Sequence, residues 1–82
     1  MFYLYIIKST NKIYNYLGVT SDLERRLSEH NSGKNRSTKS YKPFILIYKE
    51  EYQTLAEARK REWFLKCTPQ GGKLKRKILG KT

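Results

Sequence analysis

The stretch NYLGVTSDLERRLSEHN, Asn15–Asn31, is where a strand pattern gives way to a helix pattern. Its first part completes IYNYLGVT, a run rich in β-branched and aromatic residues that reads as a strand. Ser21–Glu24, SDLE, then reads as a capping box, with a hydroxyl at the N-cap and a carboxylate three residues on. Leu23 and Leu27, four apart, set the buried stripe of a helix running to about Asn31, and NSG is its stop.

Upstream, FYLYIIK reads as another strand and STNK as turn chemistry, so the chain opens with a hairpin. A turn centred on STNK places Lys8 opposite Ile13, Ile7 opposite Tyr14, Tyr5 opposite Tyr16 and Tyr3 opposite Gly18. Tyr5 and Tyr16 would then form a direct cross-strand pair on one face. Downstream, KNRSTKSYKP is a polar, basic loop and FILIYKEEY, Phe44–Tyr52, a third strand. Thr54 and Glu57 make a second capping box, opening a helix from about Leu55 to Cys67. Thr68–Pro69 starts a third helix, whose first turn Gly71–Gly72 weakens and which Gly80 stops. The expected fold is α/β in the α+β sense. One domain over residues 1–82 has a small three-stranded sheet, antiparallel or mixed, flanked by helices in the order β-β-α-β-α-α.

The 82 residues carry 18 Lys+Arg against 7 Asp+Glu, a net charge of +11 that implies a polyanionic partner, nucleic acid first and an anionic membrane surface second. A membrane role lacks a basic amphipathic helix with large apolar anchors, and KLKRKIL is too short to supply one. One cysteine and one histidine exclude an internal disulfide and a Cys/His zinc cluster. MFYLYIIKST has no basic leader region and no cleavage site, so a cytoplasmic home is expected.

Some polar residues fall where the core should be. A helix turns about 100° per residue, which puts Arg26 and His30 within about 60° of Leu23. Arg25 falls nearly opposite, with Glu29 toward the polar side. In the second helix Leu55, Ala58 and Leu65 define an apolar stripe, and Glu62 lies inside it. A buried carboxylate must meet a cation, a metal or strong donors; Lys66 or Arg59 could serve. Trp63 and Phe64 point elsewhere.

These residues, in this order, resemble the GIY-YIG nuclease superfamily, and most closely its small stand-alone bacterial members. YLY at Tyr3–Tyr5 matches the first motif and YLG at Tyr16–Gly18 the second. The arginine eight residues after the motif glycine falls on Arg26, and the next site position on His30. AEARKREWFLK resembles the segment that carries the metal-binding glutamate, which lands on Glu62; YKP at Tyr41–Pro43 also looks familial. The first motif glycine is replaced by Tyr3, and Val19 stands where the repair branch has a lysine.

The resemblance implies a divalent-metal-dependent endonuclease that hydrolyses DNA phosphodiesters, with DNA repair as a setting and one Mg²⁺ or Mn²⁺ as cofactor. Glu62 would hold the metal and Arg26 the phosphate. Either Tyr5 or Tyr16 would take a proton from the attacking water, and His30 would orient or deprotonate that tyrosine. In the basic loop, Lys34, Arg36, Lys39 and Lys42 would grip the backbone without reading sequence. With no appended specificity domain, the enzyme would be structure-selective or directed by a protein partner. The rival readings are a non-catalytic nucleic-acid-binding module that keeps the fold, and a structural protein of a ribonucleoprotein particle with RNA as its target.

Overall fold

The computed structural model describes residues 1–80. Its elements are β1 (Phe2–Ser9), β2 (Asn15–Thr20), α1 (Leu23–Ser32), β3 (Phe44–Tyr52), α2 (Leu55–Cys67) and α3 (Pro69–Leu79), with a 3₁₀ turn at Lys39–Tyr41 inside the basic loop. The sheet has the order β2-β1-β3 and is antiparallel throughout. The order read from the sequence stands, and of the two sheet types it left open, the structure has the antiparallel one.

Local chemistry explains the boundaries. Asp22 caps α1, its side chain accepting from the Arg25 N–H. The expected cap at Ser21 is thus displaced by one residue, because Asp22 holds the extended backbone that an N-cap needs. Gly33 ends α1 with φ 82°, a left-handed conformation natural to glycine, and its N–H returns to Glu29 and His30. The Thr54/Glu57 capping box opens α2 as expected, and Thr68 caps α3 with Pro69 in its first turn. Gly71 does more than weaken a turn. A Cβ there would stand 1.8 Å from the Phe64 carbonyl oxygen, so its bareness lets α3 fold back onto α2.

The hairpin register differs from the expected one by two residues. Tyr5 faces Gly18 and Ile7 faces Tyr16, because a five-residue loop, Thr10–Tyr14, joins the strands. Ser9 organises that loop. Its N–H donates to the Tyr14 carbonyl at 2.9 Å, and its Oγ accepts from the N–H groups of Asn11 (3.2 Å) and Lys12 (3.0 Å). Two residues is one full strand period, so Tyr5 and Tyr16 still share a face, now as diagonal neighbours with ring centroids 6.2 Å apart.

Each sheet face has its own core. Leu4, Ile6 and Leu17 are sealed under Leu65, Phe64 and the α3 residues Leu74, Ile78 and Leu79. On the other face Tyr5, Ile7 and Phe44 pack with Tyr14, Tyr16, Leu23, Leu27 and Tyr41. Leu55, assigned to the apolar stripe of α2, is instead exposed at the helix start, while Ala58 and Leu65 are buried. Arg61 grips Glu50 of β3 through two bonds of 3.0 and 3.1 Å, and the Tyr52 hydroxyl donates to the same carboxylate at 2.6 Å. This paired fork fixes the rotation of α2. Its neighbour, about 100° further round, is Glu62.

Candidate active site

The second face gathers the polar residues. The Tyr5 hydroxyl lies 3.1 Å from His30 Nε2 and accepts from Arg26 Nε at 3.4 Å. Tyr5 and His30 are sealed from solvent, at 1% and 0% exposure, whereas Tyr16 is half-buried. Tyr16 packs against the imidazole with centroids 4.9 Å apart. Gly18 makes room for the pair, since a Cβ there would sit 2.8 Å from the Tyr5 hydroxyl and 2.9 Å from the Tyr16 ring.

The helical phasing of α1 separates its two arginines. The Arg25 side chain is 75% exposed and, among the described residues, pairs with the surface carboxylate of Glu29 alone, at 3.2 Å. Arg26 bridges inward, with Nη1 on Glu29 at 3.1 Å and Nε on Tyr5. These bonds use two of the five N–H donors of a guanidinium. The Tyr5 hydrogen bond, and Glu29 after it, hold Arg26 above its ordinary pKa despite partial burial. Burial pushes Tyr5 up, against the pull of the Arg26 hydrogen bond, with Tyr16 and Glu62 adding to the rise. Burial also pushes His30 down, helped by the Arg26 charge, so the imidazole is neutral at pH 7.

Thr38 is a component that sequence reasoning missed. It is fully buried in the basic loop, and its Oγ1 lies 2.8 Å from His30 Nδ1 and 3.5 Å from the Asn35 carbonyl. No periodicity marks it, as it sits among Ser, Asn, Lys and Arg in an irregular segment. The loop residues Lys34, Arg36, Lys39 and Lys42 are exposed and have no ion pair among the described residues. A Cβ on Gly33 would lie 3.4 Å from Lys42 Nζ and 3.6 Å from Lys39 Cγ, so these two fold back over the end of α1.

Glu62 is largely covered, at 15% side-chain exposure, and it has cation partners of the kind its position demanded. Lys66 donates to it at 3.1 Å and Arg59 at 3.4 Å. Lys66 also stands 5.9 Å over the Tyr16 ring, so this part of α2 reaches round to the tyrosine face. Among the described residues no three His, Cys, Asp or Glu side chains converge as a ready-made metal cage. A single hard carboxylate nonetheless suits Mg²⁺, which keeps several waters and takes its remaining oxygens from a phosphate. The fit requires Lys66 and Arg59 to move off Glu62.

The fold is that of a nuclease-type hydrolase domain directed at nucleic acid. The chain belongs to the GIY-YIG family: the family described as "GIY-YIG catalytic domain" matches residues 1–75. It is similar to UPF0213 proteins of Staphylococcus haemolyticus (36% identical) and Staphylococcus saprophyticus (38% identical), each over 74 residues and 89% of both chains. The solution NMR structure of the UPF0213 protein BH0048 from Bacillus halodurans is similar at a TM-score of 0.54 and 30% identity, covering 96% of this chain and 85% of that one. No helix among the described residues is long and apolar enough to cross a membrane.

Proposed function

We propose that this chain is a divalent-metal-dependent endonuclease that hydrolyses DNA phosphodiesters and selects its substrate by structure. One observation supports the reading: Tyr5, Tyr16, Arg26 and His30, drawn from three separate elements, contact one another on one sheet face, and Lys66, which holds Glu62, reaches over the Tyr16 ring. Arg26 supplies its uncommitted donors to the scissile phosphate and offsets transition-state charge. Tyr5 is sealed and burdened by burial, so it acts as a positioning residue that aims Arg26. Tyr16 is the tyrosine that solvent reaches; acting as phenolate, its hydroxyl proton released to solvent, it takes the proton of the attacking water. His30 fixes Tyr5. Thr38 accepts from His30 Nδ1–H and donates its own O–H to the Asn35 carbonyl, which leaves Nε2 as the acceptor for the Tyr5 hydroxyl. Glu62 would hold one Mg²⁺ or Mn²⁺, which when bound would supply Lewis acidity at the phosphate. Lys34, Arg36, Lys39 and Lys42 grip the flanking backbone. The exposed free thiol of Cys67 fits a reducing, cytoplasmic setting.

The alternative is a non-catalytic DNA-binding module, and one observation favours it: two cations already neutralise Glu62. Incubation of nicked, branched and single-stranded DNA with Mg²⁺, Mn²⁺ or EDTA decides between them. Metal-dependent cutting that Glu62→Ala and Tyr16→Phe abolish supports the enzyme. Tight binding without cutting under every metal condition supports the module and sinks the enzyme reading.

A further inference from the structure

Charge is unevenly spread over the molecule. Residues 8–15, 33–44 and 69–80 contain ten Lys and Arg (two, four and four) and no Asp or Glu. None of the ten has an ion pair among the described residues. The first two segments meet at one end of the sheet, where Ser9 faces Phe44. The last turn of α3 joins them, because Leu79 borders the same cleft as the hairpin loop. That cleft has a volume of about 490 Å³ and is bordered by Lys8, Asn11, Lys12, Asn15 and Ile13.

Ile13 stands fully exposed at its rim. A lone exposed apolar side chain is ordinary, but the setting of this one is not. Its loop is braced. The Ser9 hydroxyl donates to the Tyr41 carbonyl at 2.6 Å, the Thr10 N–H to the Pro43 carbonyl at 3.0 Å, and Asn11 Nδ2 to the Lys42 carbonyl at 3.4 Å. Beneath it Tyr14 stacks on Tyr41 at 3.9 Å, and Lys12 lies 5.4 Å over the Tyr41 ring. A braced tip thus presents one bare aliphatic group beside two lysines, where segments without Asp or Glu meet.

The geometry points to a second nucleic-acid contact at this tip: Ile13 seats as an apolar wedge against an unstacked base, with Lys8 and Lys12 on the flanking phosphates. The inference rests on the nucleic-acid reading above and adds the substrate class, DNA whose stacking is interrupted by a nick, gap or branch. Tyr5 to Ser9 is four residues of strand, about 13 Å, and the tip lies beyond. Wedge and cut are therefore at least about four nucleotides apart along one strand.

Binding measured in EDTA separates this idea from catalysis. The probes are an intact duplex and the same duplex nicked beside a 2-aminopurine. Wild type should prefer the nicked duplex by at least about fivefold, the low end of one base contact, and should brighten the 2-aminopurine. Ile13→Ala should lose both effects and keep intact-duplex affinity. Lys8→Ala with Lys12→Ala should lower the salt slope by about 2. A wild type without preference, or an Ile13→Ala protein that keeps it, overturns the proposal. So does Ile13-dependent binding to phosphatidylserine vesicles with the nick preference unchanged, which would make the tip a membrane anchor. Nick preference without any cutting in Mg²⁺ would overturn the nuclease reading and leave the wedge standing.

Discussion

Thr38→Val removes one hydroxyl and almost no volume, from a residue with no solvent exposure. The substitution strips His30 Nδ1 of its 2.8 Å partner inside a sealed site. Leaving a buried donor or acceptor unpaired costs about 1–3 kcal/mol. In a domain of this size about 1 kcal/mol corresponds to roughly 4–8 °C in Tm, so Thr38→Val should melt at least about 4 °C below wild type. Urea titration should show a lower midpoint with an unchanged slope, since the surface exposed on unfolding is the same. The second readout is specific to the proposed proton order. Nitrogen-15 shifts of the single histidine should report Nδ1–H in wild type and a shift of the proton to Nε2 in Thr38→Val. With Nε2 protonated, the imidazole becomes a donor to Tyr5, and Arg26, which is aimed by Tyr5, loses its register. Cleavage should then fall while DNA binding, carried by the basic loop, holds. A stability loss under about 0.5 kcal/mol would refute the buried-partner argument. An Nε2–H tautomer in wild type would refute the proposed chain from Tyr5 through His30 to Thr38.

Arg26→Ala should lower kcat by about 10²–10³, the effect of losing one transition-state donor, while Arg25→Ala stays within about twofold in both binding and turnover; equal effects would refute the phasing of α1. The adjacent glycines of α3 should respond with opposite signs in chemical denaturation. Gly71→Ala drives a methyl into the Phe64 carbonyl and should destabilise by about 1–3 kcal/mol or more. Gly72→Ala meets nothing nearer than 3.8 Å and should stabilise by about 0.4–1 kcal/mol. Stability should also fall as pH drops below about 6.5, the ordinary histidine value. There the unfolded chain binds a proton at His30 while the fold, which holds that pKa down, does not. A flat urea midpoint between pH 7.5 and 5 would contradict this, because no other histidine is present to titrate in that window.

The sequence made the site more legible than the details of the fold, and periodicity explains why. A strand repeats every two residues, so a register error of two left Tyr5 and Tyr16 on the same face; an error of one would have split them. A helix places residues relative to one another, so moving the N-cap from Ser21 to Asp22 did not alter the angle between Leu23, Arg26 and His30. Glu62 was found by a similar comparison with Ala58 and Leu65, even though Leu55 proved exposed. Thr38 and the braced Ile13 loop depend instead on tertiary hydrogen bonds between segments 8 to 33 residues apart, which leave no repeat in the chain. The same distinction bears on how the site is built. The proposed reactive groups sit on periodic elements, where position is set by backbone geometry, while the parts proposed to set a proton or meet a substrate edge sit on loops. Replacing an exposed cation of this loop, Arg36, Lys39 or Lys42, should therefore weaken substrate grip before it disturbs the fold, whereas a one-residue insertion in β1 or β2 should remove the site altogether.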